Sequence, residues 1–308
     1  MTHDRLRALS QAAFLKKNVE HLVGPTIEIA DRSLDRIREL KSFDFVADFS
    51  SQITVGLLFR TMGLPERDHA EIRRKVILAV STDKSVKGRN PEQIAAFKEL
   101  GDFISAEVAA RRANRRDDLI TLLAEAEIDG DHLSEREVVL TSATFVMAGV
   151  ESLSSFMSML ALNLHDYPDA RRRIVSNFGL IGPAIEESLR FNTSAQRFKR
   201  TVAREITLHG ETLRPGDKIV LAFGSGNRDW RKFRNPDVYD IERRPQGHLG
   251  FGAGKHFCLG SQFARLVTEV AMRRFLERVP EYHLTVNKLA WNSSSNFRSP
   301  VALPFECD

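Results

Sequence analysis

Residues 248–260 read His248-Leu249-Gly250-Phe251-Gly252-Ala253-Gly254-Lys255-His256-Phe257-Cys258-Leu259-Gly260. Glycines at alternate positions let a backbone turn tightly and come close to a flat ligand. A helical pattern begins near Cys258, placing the sulfur where free N–H groups and the positive end of a helix dipole stabilise a thiolate. Such a sulfur, ringed by backbone donors and flanked by cations, can hold a metal. His248, His256 and Cys258 are also zinc-type ligands, but no fourth ligand or CxxC spacing accompanies them. A cysteine beside a glycine loop can equally be structural, so this stretch alone leaves three readings open.

Towards the N-terminus helical signals dominate. The clearest runs from about Glu135 to His165, opened by the capping box Ser134-x-x-Glu137 and followed by Pro168. At 1.5 Å per residue it would span about 46 Å. Val139, Phe145, Met147, Met157 and Leu160 cannot share one face, which predicts a buried helix crossing the middle of the protein. Phe145 and Met147 read as core packing. Gly149, Glu151 and Ser152 interrupt its centre, where an unpaired carboxylate is costly.

Earlier, Pro25 can open a helix carrying Ile27, Ile29, Leu34 and Ile37, and the apolar-rich segment Phe43–Met62 closes at Gly63-Leu64-Pro65. After a polar break at 81–93, helical pattern returns from Ile94 to Arg112. Arg111, Arg112, Arg115 and Arg116 read as its solvated end. Beyond Leu189 the pattern shortens to strands at Ile206–Leu208 and Lys218–Leu221, an irregular Gly/Pro/Arg-rich stretch, a helix past Arg274 and a closing hairpin between Leu284 and Phe305. With no repeat and no linker, the expectation for 1–308 is one mainly α domain with small β-sheets.

Composition narrows the function. The 308 residues are 42% hydrophobic and 28% charged, a globular balance. A net charge of +4 suits an acidic protein partner and is too small to argue for nucleic acid. Two cysteines make no disulfide framework, which points to a reducing, cytoplasmic setting. The opening MTHDRLRALSQAAF is too polar for a signal peptide. The apolar run Val138–Val150 stops at Glu151, short of the ~20 residues a bilayer requires, so no membrane span is expected.

Phe251-x-x-Gly254-x-His256-x-Cys258-x-Gly260 resembles the haem-binding signature of the cytochromes P450, in which a cysteine thiolate holds the iron. Other stretches are similar to that family in the same order. Glu187-Ser188-Leu189-Arg190 resembles its Glu-x-x-Arg motif, whose ion pair locks to a later arginine, and Arg243 is in place for that role. Asn227-Arg228-Asp229 also matches. Ala148-Gly149-Val150-Glu151-Ser152 resembles the kink of the family's long central helix. His3-x-x-x-Arg7, with Phe14, resembles the helix that holds a haem propionate.

The resemblance implies a cytochrome P450-like fold and haem b (iron protoporphyrin IX) as cofactor. Cys258 would be the proximal thiolate and the metal ligand. His3, Arg7, Arg200 and His248, with His256 behind them, would hold the propionates. Phe251, Gly252, Gly260, Ala148 and Gly149 would border the cofactor, and a kink near Gly149 would leave a carbonyl free. Glu151 and Ser152 would relay protons; the family's usual threonine is here a serine, which lacks the rotamer-restricting methyl. Glu187, Arg190 and Arg243 would be structural.

The implied activity inserts one atom of dioxygen into a small apolar organic substrate, with electrons from NAD(P)H through ferredoxin reductase and ferredoxin. Arg231, Lys232, Arg234 and Arg244 would greet the ferredoxin. Family members carry a further N-terminal quarter before the His-x-x-x-Arg helix, supplying strands and a pocket wall. A chain without it would show an open sheet edge, covered by a partner or by self-association. The competing expectation is therefore a shortened, non-catalytic haem-binding or partner-regulating protein.

Overall fold

The structure is a computed structural model that describes residues 2–11, 20–66, 69–82, 85–86 and 88–307. Phe14 lies outside them. The helices in chain order are α1 (Thr2–Gln11), α2 (Val23–Leu40), α3 (Ser51–Met62), α4 (His69–Val80), α5 (Pro91–Ala113), α6 (Leu119–Ala124), α7 (Glu135–Asp166), α8 (Pro168–Ser176), α9 (Ile181–Phe191), the single turn α10 (Phe223–Gly226) and α11 (Ser261–Arg278).

Helix α7 organises the rest. Its capping box forms as the sequence predicts: Glu137 N–H donates to Ser134 Oγ, and Ser134 N–H donates to Glu137 Oε2. The half from Leu153 to Leu164 is buried all round, in a core shared with α2, α9, α11 and the C-terminal strands. The earlier half packs Val138, Val146 and Val150 into a second core built from α3, α4, α5 and α6. One stripe of that half stays open, with Leu140, Thr144 and Ala148 exposed at i, i+4 spacing. The helix is thus buried over only part of its first half, against the expectation for its whole length. It is long and apolar enough to cross a membrane, yet 67% of its most apolar window is buried within the protein.

The segment Phe43–Met62 departs from a simple helix. It begins as β1 (Ser42–Asp44), passes through a π-helical turn at Phe45–Ser50 and only then becomes α3. Asp44 makes the switch: its Oδ1 accepts from Val46 N–H at 2.9 Å and from Leu303 N–H at 2.7 Å. That second bond ties the turn to the C-terminal sheet, where β1 pairs with β9 (Pro304–Cys307) and β9 with β8 (Tyr282–Leu284), all antiparallel.

Three small pairs complete the strands. β2 (Glu127–Ile128) pairs with β3 (Asp131–His132), β4 (Phe198–Thr201) with β7 (Lys218–Leu221), and β5 (Ile206–Leu208) with β6 (Glu211–Leu213). In the last, His209 and Gly210 take positive φ, the two-residue turn that suits strand twist.

Arg111 corrects the reading of the α5 terminus. It is 3% exposed, donating through Nε to Asp118 at 2.9 Å and pairing also with Glu107 and the Gly63 carbonyl. Asp118 in turn caps α6 through Thr121 N–H. The arginine staples two helices, whereas Arg112, Arg115 and Arg116 are exposed.

Candidate functional site

Behind the cysteine stretch, α9 carries two adjacent carboxylates pointing into different neighbourhoods. Glu187 and Arg190 have no exposed surface and share hydrogen bonds of 2.7 and 2.8 Å. Arg243 Nε joins the same carboxylate at 3.1 Å. Both arginines also donate to carbonyls of the irregular stretch, including Val238 from each. Asn227, wholly buried, donates to the Leu189 carbonyl and accepts from Leu249 N–H at 2.6 Å. The irregular stretch is therefore hung on α9 by buried polar groups, and the cysteine loop is hung on both.

The loop itself is shaped by glycine. A Cβ on Gly250 would come within 2.7 Å of the Leu189 carbonyl, so only glycine lets the loop lie against α9. Gly252 and Gly254 take φ of +72° and +64°, which β-carbon-bearing residues avoid. Cys258 N–H then closes the turn onto the Phe251 carbonyl at 2.9 Å. Helix α11 starts at Ser261 with Gly260 as its N-cap, so Cys258 precedes the helix.

The Cys258 side chain is accessible on one side and packed by protein on the others. Desolvation pushes its thiol pKa up, while the Gly260 N–H and the charges of Arg7 and Arg265 oppose the rise. These three groups favour the thiolate, the form that ligates iron.

On the same loop, α1 brings in a cationic cluster from the far end of the chain. The rings of His3 and His256 lie 4.4 Å apart, and Arg7 donates to the Phe257 carbonyl at 2.7 Å. Desolvation and the nearby His3, Arg200 and Arg7 lower the His256 pKa, so Arg200 on β4 belongs to the group. Arg200 donates only to the Lys199 carbonyl, and neither arginine meets a carboxylate among the described residues. A concentration of positive charge balanced by little more than Asp4, which bonds His3 and Lys255, fits the two propionates of haem.

His248 stands apart. Gly250 N–H donates to its Nδ1, leaving Nε2 to donate to Glu186 at 3.0 Å. Both of its ring nitrogens are committed on the α9 side, whereas His256 lies in the cluster with His3, Arg7 and Arg200.

On α7, Ser152 Oγ donates to the Ala148 carbonyl at 2.5 Å, and the helix continues unbroken past it. The Ala148 carbonyl, expected to be left free, is taken up by a hydroxyl four residues on that reaches back to it. A Cβ on Gly149 would press on Leu58 at 3.1 Å, so this glycine serves the packing of α7 on α3. Glu151 is half-buried, its pKa raised by desolvation and opposed by the charge of Arg73 on α4. Arg73 donates to Ser51 Oγ, which belongs to a buried hydroxyl cluster with Ser50, Ser154 and Ser158.

The chain matches the family model described as cytochrome P450 over residues 85–281, more than half its length. It belongs to the cytochrome P450 family. Members are haem-thiolate monooxygenases that use haem b, and this P450 has the family's mainly α fold. It is 32% identical over 303 residues to the protein named putative cytochrome P450 123 of Mycobacterium tuberculosis, covering 98% of this chain and 75% of that one. It is 30% identical to the biotin biosynthesis cytochrome P450 of Bacillus subtilis, covering 98% and 77%. Among solved structures, the P450 PksS of the Bacillus subtilis bacillaene synthase superposes with TM-score 0.94 at 30% identity, covering 99% of this chain and 78% of that one. P450BioI, solved with an acyl carrier protein bearing hexadec-9Z-enoic acid, superposes at 0.92 and 29% identity, with the same coverage.

Three residues escaped the sequence reading. Glu186, Arg265 and Arg73 are ordinary charges in a chain rich in them, and only the fold shows which partners they meet. The adjacency of Glu186 to the Glu-x-x-Arg motif was the one available signal.

Proposed function

We propose that this P450 inserts one atom of dioxygen into a small, largely apolar organic substrate in the cytoplasm. Its electrons come from NAD(P)H through a reductase and a ferredoxin. The observation that carries the reading is that two features meet at one loop: a cysteine sulfur with thiolate-favouring neighbours, and the cluster that His256 forms with His3 and Arg7 of α1 and Arg200 of β4. A haem needs both, one at its iron and one at its acidic edge. Bound there, haem supplies the activation of dioxygen, with the thiolate pushing electron density to the iron.

The protein's own residues do the rest. Cys258 ligates, and the cations hold the propionates, each charge-assisted bond contributing about 1.5–3 kcal/mol. Glu151, whose pKa burial raises, and the Ser152 hydroxyl deliver protons on the α7 side. Glu187, Arg190 and Arg243 fix the scaffold. Lys232, Arg234 and Arg244 lie near the cysteine loop in sequence and offer an acidic ferredoxin its landing, together with Arg231, which pairs with Asp229.

A second reading has one observation in its favour. β4 has β7 as its only described strand neighbour, and Val220 and Leu221 on β7 are exposed, as are Ile206 and Leu208 on β5. A haem-binding protein without oxygenase activity, covered on this face by a partner or a second copy, fits that surface.

The test is reconstitution with haem, reduction and addition of carbon monoxide. A long-wavelength Soret band, lost in Cys258→Ser, supports thiolate ligation; a short-wavelength band in the parent overturns it. Substrate-dependent NADPH consumption with an oxygenated product then separates the monooxygenase from the second reading.

A further inference from the structure

Glu186 is 29% exposed in its side chain and sits one residue before the buried Glu187, yet it faces a different segment. Its carboxylate accepts from Arg265 Nε at 2.6 Å and from Arg265 Nη2 at 2.9 Å, while the second oxygen also accepts from His248 at 3.0 Å. Arg265, on the second turn of α11, lies over the Phe251 ring with its guanidinium carbon 4.5 Å from the centroid. Phe251 offers its carbonyl to Cys258 N–H. The chain of contacts is thus carboxylate, guanidinium, aromatic ring and ligand backbone, spanning α9, α11 and the cysteine loop.

From this geometry we propose that Glu186 is a positioning residue that pins Arg265 against Phe251 and partly neutralises it, fixing the net charge felt at the Cys258 sulfur. The proposal rests on the reading of Cys258 as the haem ligand. A bare guanidinium whose charge reaches the sulfur draws electron density from it and favours the reduced state of the group it ligates. A guanidinium clamped by a carboxylate presents little net charge while keeping its place on the ring. Glu186 carries its charge across the neutral range, held down to a pKa of about 2 by Arg265 and His248 against the opposing cost of burial. The clamp is therefore a constant bias in function. Its second arm, through His248, secures Gly250 N–H and with it the loop's approach to α9.

The charge model makes predictions of opposite sign, which a purely structural clamp does not. In haem-reconstituted protein, Glu186→Gln keeps the shape and removes the negative charge. The one-electron reduction equilibrium should shift about threefold to tenfold towards the reduced form, at most about 59 mV upward. Arg265→Gln should shift it downward by a comparable factor. The double variant should return near the parent, and Glu186→Asp should restore most of the parent value.

Potentials are measured by spectroelectrochemical titration, with haem content and thermal midpoint recorded for each protein. Opposite shifts that cancel in the double variant support the proposal. Shifts of the same sign, no shift, or haem loss that the double variant does not recover overturn it. The parent's reduced carbonyl spectrum reports separately on Cys258. A long-wavelength band there without opposing shifts sinks the Glu186 proposal alone, and a short-wavelength band sinks the haem-ligand reading first.

Discussion

Glu187 and Arg190 lie one helical turn apart on α9, wholly buried, and close a two-bond ion pair that Arg243 joins from 53 residues beyond Arg190 in the irregular stretch. Three charges in one dry pocket are stable only as a set, because each carbonyl and carboxylate there is matched to a donor. Breaking a buried pair by removing one partner costs about 3–5 kcal/mol. Glu187→Gln strands two guanidinium groups and should lose that much in urea unfolding. Arg243→Gln, at the pocket's part-exposed rim, should lose less. Equal losses would show that the pair and its third member are not ordered as the burial suggests.

The two loop histidines should separate cleanly. His256→Ala removes a ring N–H donor to a propionate from the α1–loop cluster and should weaken haem affinity by roughly tenfold or more, the worth of a hydrogen bond to a charged group. His248→Ala removes the link between Gly250 and Glu186 and should lower thermal stability, with a smaller change in haem affinity than His256→Ala gives. Haem titration of apoprotein, followed by Soret absorbance, checks both. A larger loss of affinity from His248→Ala would reverse the assignment made from their hydrogen bonds.

That distinction shows where the sequence stopped being legible. His248 and His256 are equivalent in composition and differ in which face of a glycine-shaped turn they occupy, which one-dimensional spacing does not encode. The strongly periodic or capped parts were readable: the Ser134–Glu137 box and the length of α7 follow from local rules. Arg111 misled because a run of arginines at a helix end reads as solvated, and only folding brings Asp118 and the Gly63 carbonyl to it. The free carbonyl expected near Gly149 misled for a different reason: the Ser152 hydroxyl, four residues on, back-bonds to the Ala148 carbonyl, and spacing alone does not show which rotamer a serine takes.

Glu151 gives a pH signature with a defined sign. Burial raises its folded-state pKa above the ordinary carboxylate value of 4.5, with Arg73 opposing. Folding is therefore favoured by the protonated form: the benefit is full below 4.5 and is lost as pH rises through the folded pKa. Glu151→Gln, neutral throughout, should gain stability relative to the parent across that window and then hold a constant difference above it. Arg73→Gln should move the window to higher pH. Denaturant midpoints measured from acid to neutral pH would show it, and a flat difference between Glu151→Gln and the parent would refute the raised pKa.

Ser152 offers the most direct functional test on α7. Its hydroxyl is bonded to the Ala148 carbonyl at 2.5 Å, but serine has no branching methyl to restrict its rotamer, so the hydroxyl has other orientations available. A relay that wanders delivers protons at the wrong moment and releases reduced oxygen as peroxide in place of product. Ser152→Thr keeps the donor and narrows its rotamers, and should lower the peroxide released per NADPH consumed while leaving haem affinity alone. Ser152→Ala removes the donor and should raise peroxide release. Peroxide assayed against NADPH consumption, with one substrate and one pair of redox partners, decides the matter. An unchanged ratio in both variants would remove Ser152 from the proton path and leave Glu151 to act through other groups.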